Sequence, residues 1–255
     1  MAQLLEDKTN LKIIRKFNLG TTDIVHTAFL KGEIDLYPEY TGTAYLTILK
    51  EPWNSREKNL LKKVKKAYED KFDLLWLEPF GFSNSQSLSV QKNCAEKYDI
   101  TTLSDLGRIS RHLTIAVPPE FLMRADGLPH LSKIYNLNFK KILQLDIGLL
   151  YTAIGHQKVD VIVSFTTDGK AEKYNLKILK DDKNFYPPYD AAPVIRKETL
   201  KTYPEIYKAL KPLFGLITEN IMKKLNYEVD VKGNSPKNVA RAFLLKYRLI
   251  SLKET

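Results

Sequence analysis

The feature that most constrains the fold of this chain is the alternation of short strand-like runs with amphipathic helical stretches along most of its 255 residues. Strands are predicted over 11–17, 33–36, 73–78, 113–117, 144–146, 159–165 and 176–179, and extended chain over 84–90 and 189–194. Helices are predicted over 2–7, 22–30, 43–50, 55–71, 102–107, 131–135, 149–156 and most of the chain after 194. Such alternation implies βα units and a mostly parallel sheet covered by helices, an α/β fold.

Two proline-containing breaks interrupt this pattern. Pro79-Phe-Gly81 and Pro187-Pro188 each fall between strand-like runs. If the chain crosses between two lobes at both breaks, residues 84–186 form one lobe, and residues 1–83 with 187–255 form the other. A two-lobed α/β protein of this size usually binds a small molecule in its cleft.

Composition excludes several classes of protein. The apolar runs are shorter than the roughly 18 residues that span a bilayer, and the single cysteine, Cys94, permits no internal disulfide. Net charge is +10, but most lysines recur at helical spacing opposite apolar residues, as on a solvated surface. Because no recognition-helix, zinc-finger or RNA-binding motif accompanies the charge, we expect no nucleic-acid partner.

Catalytic motifs are missing from the sequence. It contains no nucleophile elbow, phosphate-binding loop, dinucleotide fingerprint or paired zinc-binding histidines. Its four histidines are isolated from one another, and Cys94 lies in a polar stretch without a local activating motif. We therefore predict no catalytic residues, no metal site and no cofactor.

The segment from Gly32 to Ala44 concentrates two tyrosines, Tyr37 and Tyr40, with Thr41-Gly-Thr43. Pro38 is expected to end the strand before it, which places Thr41 to Thr43 at the N-terminus of the next helix. Free N–H groups there favour an anion, and an adjacent ring suits an organic cation. The alternative is an ordinary turn with a buried tyrosine and a threonine cap. These residues alone leave both interpretations open.

Three further segments have the character of binding loops. Arg124, in the loop 118–127 after a strand, can make a bidentate contact to a carboxylate, or is a surface arginine in a turn. Phe165 begins a loop at the end of an apolar strand, or is its last core residue. Tyr189 lies in a proline-bounded segment that is either part of a site or a rigid hinge.

Together the motifs resemble a known family over almost the whole chain. They are Asp35-Leu-Tyr-Pro-Glu-Tyr-Thr-Gly-Thr43, Pro119-Glu-Phe with Arg124-Ala-Asp-Gly127, Thr167-Asp-Gly169 and Phe185-Tyr-Pro-Pro-Tyr-Asp-Ala-Ala-Pro193. The chain resembles the substrate-binding proteins of ABC importers for quaternary ammonium compounds, the glycine betaine, carnitine and choline group.

The resemblance implies a two-lobed, type II periplasmic-binding-protein fold with a hinge that closes on a ligand in the inter-lobe cleft. It also implies a non-enzymatic protein in the periplasm or on the extracytoplasmic face of the inner membrane. Its partners would be a small zwitterion and an ABC permease with its ATPase, and it would meet the membrane only through the permease or an anchor. The competing interpretations are a ligand-sensing regulatory domain and a small-molecule transferase of the same architecture.

The resemblance further implies a set of ligand-binding residues. Tyr40, the residue at position 86, Phe165 and Tyr189 would surround a trimethylammonium group, and Arg124 and Thr43 would hold a carboxylate. Ring faces attract such a cation by roughly 0.5–2 kcal/mol per contact. This chain departs from the family pattern in three places: an amide, Gln86, replaces an expected ring, Asn84 replaces an acid, and Phe165 replaces a tyrosine.

Gln86 and Asn84 add hydrogen-bonding capacity that glycine betaine cannot use. Our hypothesis is a ligand with a betaine head and an extra polar group, a description that ergothioneine, a trimethylated histidine betaine with a thione-bearing ring, fits. The family also begins with a strand and a loop before its first helix, whereas this chain opens on helix 2–7. We therefore expect that the first strand is missing and that Met1 lies inside a longer protein, with a permease possible upstream.

Overall fold

A computed structural model describes residues 1–53 and 59–251. The chain divides into two compact units. Unit 1 comprises Met1–Pro52, Lys58–Ser83 and Pro188–Thr255, and unit 2 comprises Trp53–Glu57 and Asn84–Pro187. A search of the described residues finds no helix long and apolar enough to cross a membrane.

Eight strands lie in the described residues, and all are short. They are β1 (Leu36–Tyr40), β2 (Leu74–Trp76), β3 (Gln86–Gln91), β4 (Thr114–Val117), β5 (Lys141–Gln144), β6 (Val161–Phe165), β7 (Leu176–Ile178) and β8 (Ala191–Arg196).

Helices make up most of the remaining described structure. They are α1 (Ala2–Lys8), α2 (Thr22–Leu30), α3 (Thr41–Thr43), α4 (Leu60–Phe72), α5 (Lys92–Tyr98), α6 (Leu103–Ile109), α7 (Leu128–Tyr135), α8 (Ile147–Gly155), α9 (Lys170–Lys173), α10 (Lys197–Thr202), α11 (Glu205–Leu210), α12 (Glu219–Asp230) and α13 (Pro236–Lys246). A π-helical stretch, Ala44–Ile48, follows α3 directly. The helix predicted over 55–71 corresponds to α4, and its predicted first residues, 55–58, lie outside the described residues.

Unit 1 contains a three-stranded antiparallel sheet in the order β1-β8-β2. Its central strand, β8, is buried on both faces because alternate residues enter two different clusters. Ala191 and Ile195 pack into one apolar core, and Ala192 and Val194 pack into the other. A strand covered on both faces reads as a continuous apolar run, which is why Ala191 to Ile195 carries no polar side chain.

The prediction that Pro38 ends a strand over 33–36 is wrong. Pro38 lies within β1, opposite Pro193 of β8. At this pair neither residue has an N–H to give to the ladder. The proline is tolerated because β1 lies at the edge of the sheet.

Unit 2 contains a five-stranded sheet in the order β5-β4-β6-β3-β7. Only β4 pairs in parallel, with β5 and β6, whereas β3 runs antiparallel to β6 and β7. The prediction of mostly parallel sheets is therefore wrong for the described strands. β3 follows the break at Pro79-Phe-Gly81, and β8 follows the break at Pro187-Pro188. Because no helix leads directly from a preceding strand into either one, the helix–strand alternation does not specify their direction.

Two predicted strands are also misplaced. Residues 11–17 form no described strand, although burial alternates from 11 to 16: Leu11 and Ile13 pack on the core, while Ile14 is 74% exposed. The alternation ends at Phe17, which is 75% exposed. Period-two burial shows which side of an extended chain faces the core, and it does not supply a pairing partner. The strand predicted over 144–146 is β5, three residues earlier, and its exposed edge position weakens the apolar pattern.

Candidate functional site

The half of the site predicted in unit 1 begins at the end of β1. Tyr40 is the last residue of that strand, and its backbone N–H donates to Oε1 of Glu39 at 2.7 Å. The Glu39 carboxylate is buried, at 4% exposure, and its Oε2 accepts from the Tyr37 hydroxyl at 3.1 Å. Burial raises the pKa of Glu39 and, together with the Glu39 charge, that of Tyr37. Tyr37 itself packs edge-on against Phe29, as expected of a packing residue.

Thr41 fastens the start of α3 to the segment that carries Tyr189. Its hydroxyl donates to the carbonyl of Pro188 at 2.8 Å and accepts from the backbone N–H of Asp190 at 3.0 Å. Its own backbone N–H donates to the Asp190 carbonyl at 3.1 Å. These three hydrogen bonds flank Tyr189 on both sides, and Thr41 is fully buried.

The ring of Tyr189 lies directly against Gly42. A Cβ atom at Gly42 would lie 2.5 Å from Cε1 of that ring, so any larger residue at this position would have to displace the ring. The backbone N–H of Tyr189 donates to the Ser83 hydroxyl at 3.0 Å, and the residue is 3% exposed. Packing against Gly42 therefore restricts the ring, and hydrogen bonds at Pro188, Tyr189 and Asp190 hold the backbone that carries it.

Thr43 directly follows Gly42, at the end of α3, and is half-buried. The helix predicted over 43–50 begins at Thr41 and continues as a π-helix, with Tyr40 as its N-cap. Thr41 to Thr43 therefore form the first helical turn and do not precede it. π-Helical turns are uncommon and often mark functional sites.

The half of the site predicted in unit 2 lies where β3 and β6 pair. Gln86 stands directly opposite Phe165 in the antiparallel register. Asn84 lies two residues before Gln86, and its Oδ1 accepts from the Thr167 hydroxyl at 2.6 Å. The structure thus brings three of the predicted residues, Asn84, Gln86 and Phe165, to one end of this strand pair.

Asp168 holds the loop that follows Phe165. Its Oδ2 accepts from the backbone N–H of Phe165 at 2.8 Å and from the Tyr151 hydroxyl, and its own N–H donates to the Phe165 carbonyl. A carboxylate that closes a turn on Phe165 fixes the direction in which that residue leaves β6.

Arg124 is already paired within unit 2. Its Nε and Nη2 donate to the two carboxylate oxygens of Asp126, each at 2.7 Å, and Asp126 is 1% exposed. Arg124 lies in a turn and its side chain is 29% exposed, so the structure does not decide between a surface role and a ligand role. A bidentate pair of this kind orients a guanidinium.

Sequence reasoning missed the residues that position the predicted ones. They are Glu39, Thr41, Ser83, Asp126 and Asp168. For Asp126 and Asp168 a signal was present, since Arg-x-Asp and Thr-Asp-Gly place a carboxylate two or three residues from the side chain or N–H that it holds. Thr41 and Ser83 gave none, because their partners lie more than 100 residues away along the chain.

Comparison with known proteins identifies the family. A family profile, OpuAC, described as the substrate-binding domain of the ABC-type glycine betaine transport system, matches residues 1–246. The chain belongs to this family. As an OpuAC domain it is the substrate-binding component of an ABC importer, whose partners are a small ligand and the permease. The family consists of transport proteins and not of enzymes.

Two OpuAC relatives are about equally similar to the chain. The carnitine transport binding protein OpuCC of Listeria monocytogenes is 40% identical over 248 residues, which cover 96% of this chain and 80% of that protein. The ergothioneine transport permease/ergothioneine binding protein EgtU of Helicobacter pylori is 41% identical over 242 residues, 94% of this chain and 43% of that protein. EgtU joins a permease and a binding protein in one chain.

A solved structure agrees with the family assignment. The crystal structure of a glycine betaine/carnitine/choline ABC transporter superposes with a TM-score of 0.82 at 35% identity, covering 92% of this chain and 86% of that one. The fold is that of the type II periplasmic binding proteins, as the resemblance implied.

Proposed function

We propose that this chain captures a small zwitterion that carries a trimethylammonium group and a carboxylate, and delivers it to the permease. The residues proposed to bind it are Tyr40, Thr43, Asn84, Gln86, Arg124, Phe165 and Tyr189. They come from both units. The same proposal locates the protein in the periplasm or on the extracytoplasmic face of the inner membrane.

The observation that carries the proposal is the fixed ring of Tyr189. Gly42 supports the ring, and Thr41 and Ser83 hold the backbone beside it. A quaternary ammonium has no N–H to donate, so it is recognised by ring faces and only poorly by hydrogen-bond acceptors. Such a ring binds best when its position is set in advance, because no freedom is then lost on binding.

In unit 2, Arg124 supports the proposal for the carboxylate end. A guanidinium has five N–H groups, and two of them bind Asp126. Asp126 is buried away from solvent, and its carboxylate orients the Arg124 side chain. An arginine held in this way is suited to a planar carboxylate.

Calorimetric titration with ergothioneine, glycine betaine, choline and carnitine tests the proposed function. We expect the wild-type chain to bind at least one of them and Tyr189→Ala to weaken every such ligand by about tenfold or more, given the contribution of one desolvated ring. Tyr203→Ala, at a tyrosine of unit 1 that is 43% exposed, is the matched control. Unchanged affinity in Tyr189→Ala would contradict the ring assignment.

A further inference from the structure

Glu39 is a buried carboxylate without a positively charged partner in the described part of the chain. It is 4% exposed, and none of the ion pairs found among the described residues involves it. Its Oε1 accepts from the Tyr40 N–H at 2.7 Å, and its Oε2 accepts from the Tyr37 hydroxyl at 3.1 Å. Buried carboxylates are normally paired with a cation, so a carboxylate held by hydrogen bonds alone calls for an explanation.

The titratable groups beside Glu39 do not cancel its charge. They are two phenols, Tyr37 on the same strand and Tyr68 on α4, and burial followed by the Glu39 charge raises the pKa of both. A phenol with a raised pKa is neutral at physiological pH. Ala192 of β8 stands opposite Glu39 in the strand register. Because these neighbours are uncharged and solvent is excluded, the negative potential of the carboxylate is only weakly screened.

We propose that Glu39 is the counter-charge for the cationic head of the ligand at the part of the site that unit 1 supplies. Tyr40, whose N–H bonds to this carboxylate, is one of the two tyrosines of unit 1 proposed to contact the trimethylammonium group. A quaternary ammonium has no N–H to give to a carboxylate, so its attraction to one acts through space and needs no direct contact. The proposal rests on the proposed function and adds to it a residue that makes affinity depend on charge.

A counter-charge of this kind links ligand capture to a proton. Burial raises the pKa of Glu39, and the hydrogen bonds from Tyr40 and Tyr37 partly oppose this. A bound cation favours the ionised carboxylate, so the ligand and the proton oppose each other's binding. Ligand affinity should therefore fall as the pH falls through the raised pKa, and ligand binding in that range should release protons.

Calorimetric titration of Glu39→Gln in the whole chain tests the proposal. Glutamine keeps an acceptor for the Tyr40 N–H, and the Tyr37 hydroxyl can turn to accept from the new NH₂, so the variant removes the charge and keeps the hydrogen bonds. The ligands are ergothioneine, glycine betaine, choline and carnitine. Each one that the wild type binds at pH 7 should bind about tenfold more weakly to the variant, the effect of a unit charge roughly 10 Å away at the effective dielectric of a protein.

Glu33→Gln is the matched control. It makes the same substitution six residues earlier, at an exposed position where solvent screens the charge. It should change the affinity for each ligand by less than about twofold. Urea unfolding at pH 7 verifies that both variants are folded.

The pH dependence of binding separates a counter-charge from a merely structural role. None of the four ligands has a group that titrates between pH 5 and pH 8. Wild-type affinity should fall towards pH 5, and binding there should release protons, which calorimetry in buffers of different ionisation enthalpy measures. Both effects should be smaller in Glu39→Gln. Asp190 and His26, whose pKa values burial also shifts, are present in both proteins, so the comparison isolates Glu39.

Equal affinities of wild type and Glu39→Gln at pH 7, or identical pH profiles, would overturn the proposal. If the variant does not fold, the wild type still decides: absence of proton release on binding at pH 5 would overturn the proposal as well. A wild-type protein that binds none of the four ligands at any of these pH values would refute the proposed function, and this inference with it.

Discussion

Gly42 shows how a single residue sets the geometry of the half-site that we propose in unit 1. The contact between Gly42 and the Tyr189 ring joins positions 147 residues apart in the sequence, so no local pattern could reveal it. The sequence did single out Thr-Gly-Thr and Tyr189, but as separate features. Their connection through Thr41 and Gly42 depends on the register of β1 and β8, which only the folded chain supplies.

Replacing Gly42 by alanine is therefore expected to displace the Tyr189 ring. The added methyl group would lie 2.5 Å from Cε1, so Gly42→Ala should cost about 1–3 kcal/mol of stability, as overpacking does. Ligand affinity should fall with it. Gly148→Ala in α8 is the matched control, because nothing lies within 4 Å of its new Cβ, and alanine there should stabilise by up to about 1 kcal/mol. Urea unfolding measures the change in stability, and calorimetric titration measures the change in ligand affinity. Equal results for Gly42→Ala and Gly148→Ala would refute the role of Gly42 in placing the Tyr189 ring.

Thr41 provides a second test at the scale of one residue. Thr41→Val is nearly isosteric but leaves the Pro188 carbonyl and the Asp190 N–H without their hydroxyl partner. We expect a loss of about 1–3 kcal/mol in the free energy of unfolding, because both groups are part-buried. Thr41→Ser keeps the hydroxyl and should retain ligand affinity. If Thr41→Ser weakened ligand binding and Thr41→Val did not, the role assigned to the Thr41 hydroxyl would be contradicted.

Among the elements, α6 was predictable because its signals are local. Thr102 accepts from the Asp105 N–H at 3.1 Å, and Asp105 accepts from the Thr102 N–H at 2.9 Å, a capping box readable from the sequence. By contrast, the orientation of β3 and the pairing of β4 depend on contacts between distant segments, which helix–strand alternation does not specify. Element type was therefore easier to predict than strand direction.

The capping box gives a prediction for pH dependence. Hydrogen bonds from Thr101 and Thr102 lower the pKa of Asp105 to about 2 from its usual 3.8. A lowered folded-state pKa adds stability that is fully present above pH 3.8 and is lost as the pH falls through about 2. Urea unfolding should show that Asp105→Asn is less stable than wild type at pH 5 and that the gap narrows towards pH 2. A constant gap, or the same narrowing in the exposed-site control Asp70→Asn, would contradict this.

At the scale of the whole molecule, His26 links folding to pH. It is 7% exposed, both ring nitrogens lack a hydrogen-bond partner in the described residues, and it packs edge-on against Tyr68 and Phe72. Burial lowers its pKa, and the nearby Asp23 charge opposes this. Folding therefore requires the neutral ring, and stability is lost as the pH falls below the usual histidine value of 6.5.

Replacing His26 by phenylalanine should remove this dependence. We expect the unfolding free energy of His26→Phe to change less than that of wild type between pH 7 and pH 5, because no buried ring then binds a proton. His112→Phe, at an exposed histidine, is the control and should follow the wild-type curve. Parallel curves for His26→Phe and wild type would show that burial of this ring does not govern the acid response.

The central claim is that the protein recognises a trimethylammonium group through ring faces. One titration tests it most directly: ergothioneine against 2-thiohistidine, which has the same ring and carboxylate but a primary ammonium. A primary ammonium is strongly hydrated and needs acceptors that ring faces do not supply. We predict that ergothioneine binds at least about tenfold more tightly, as for one or two cation–π contacts. Equal or tighter binding of 2-thiohistidine would contradict the account.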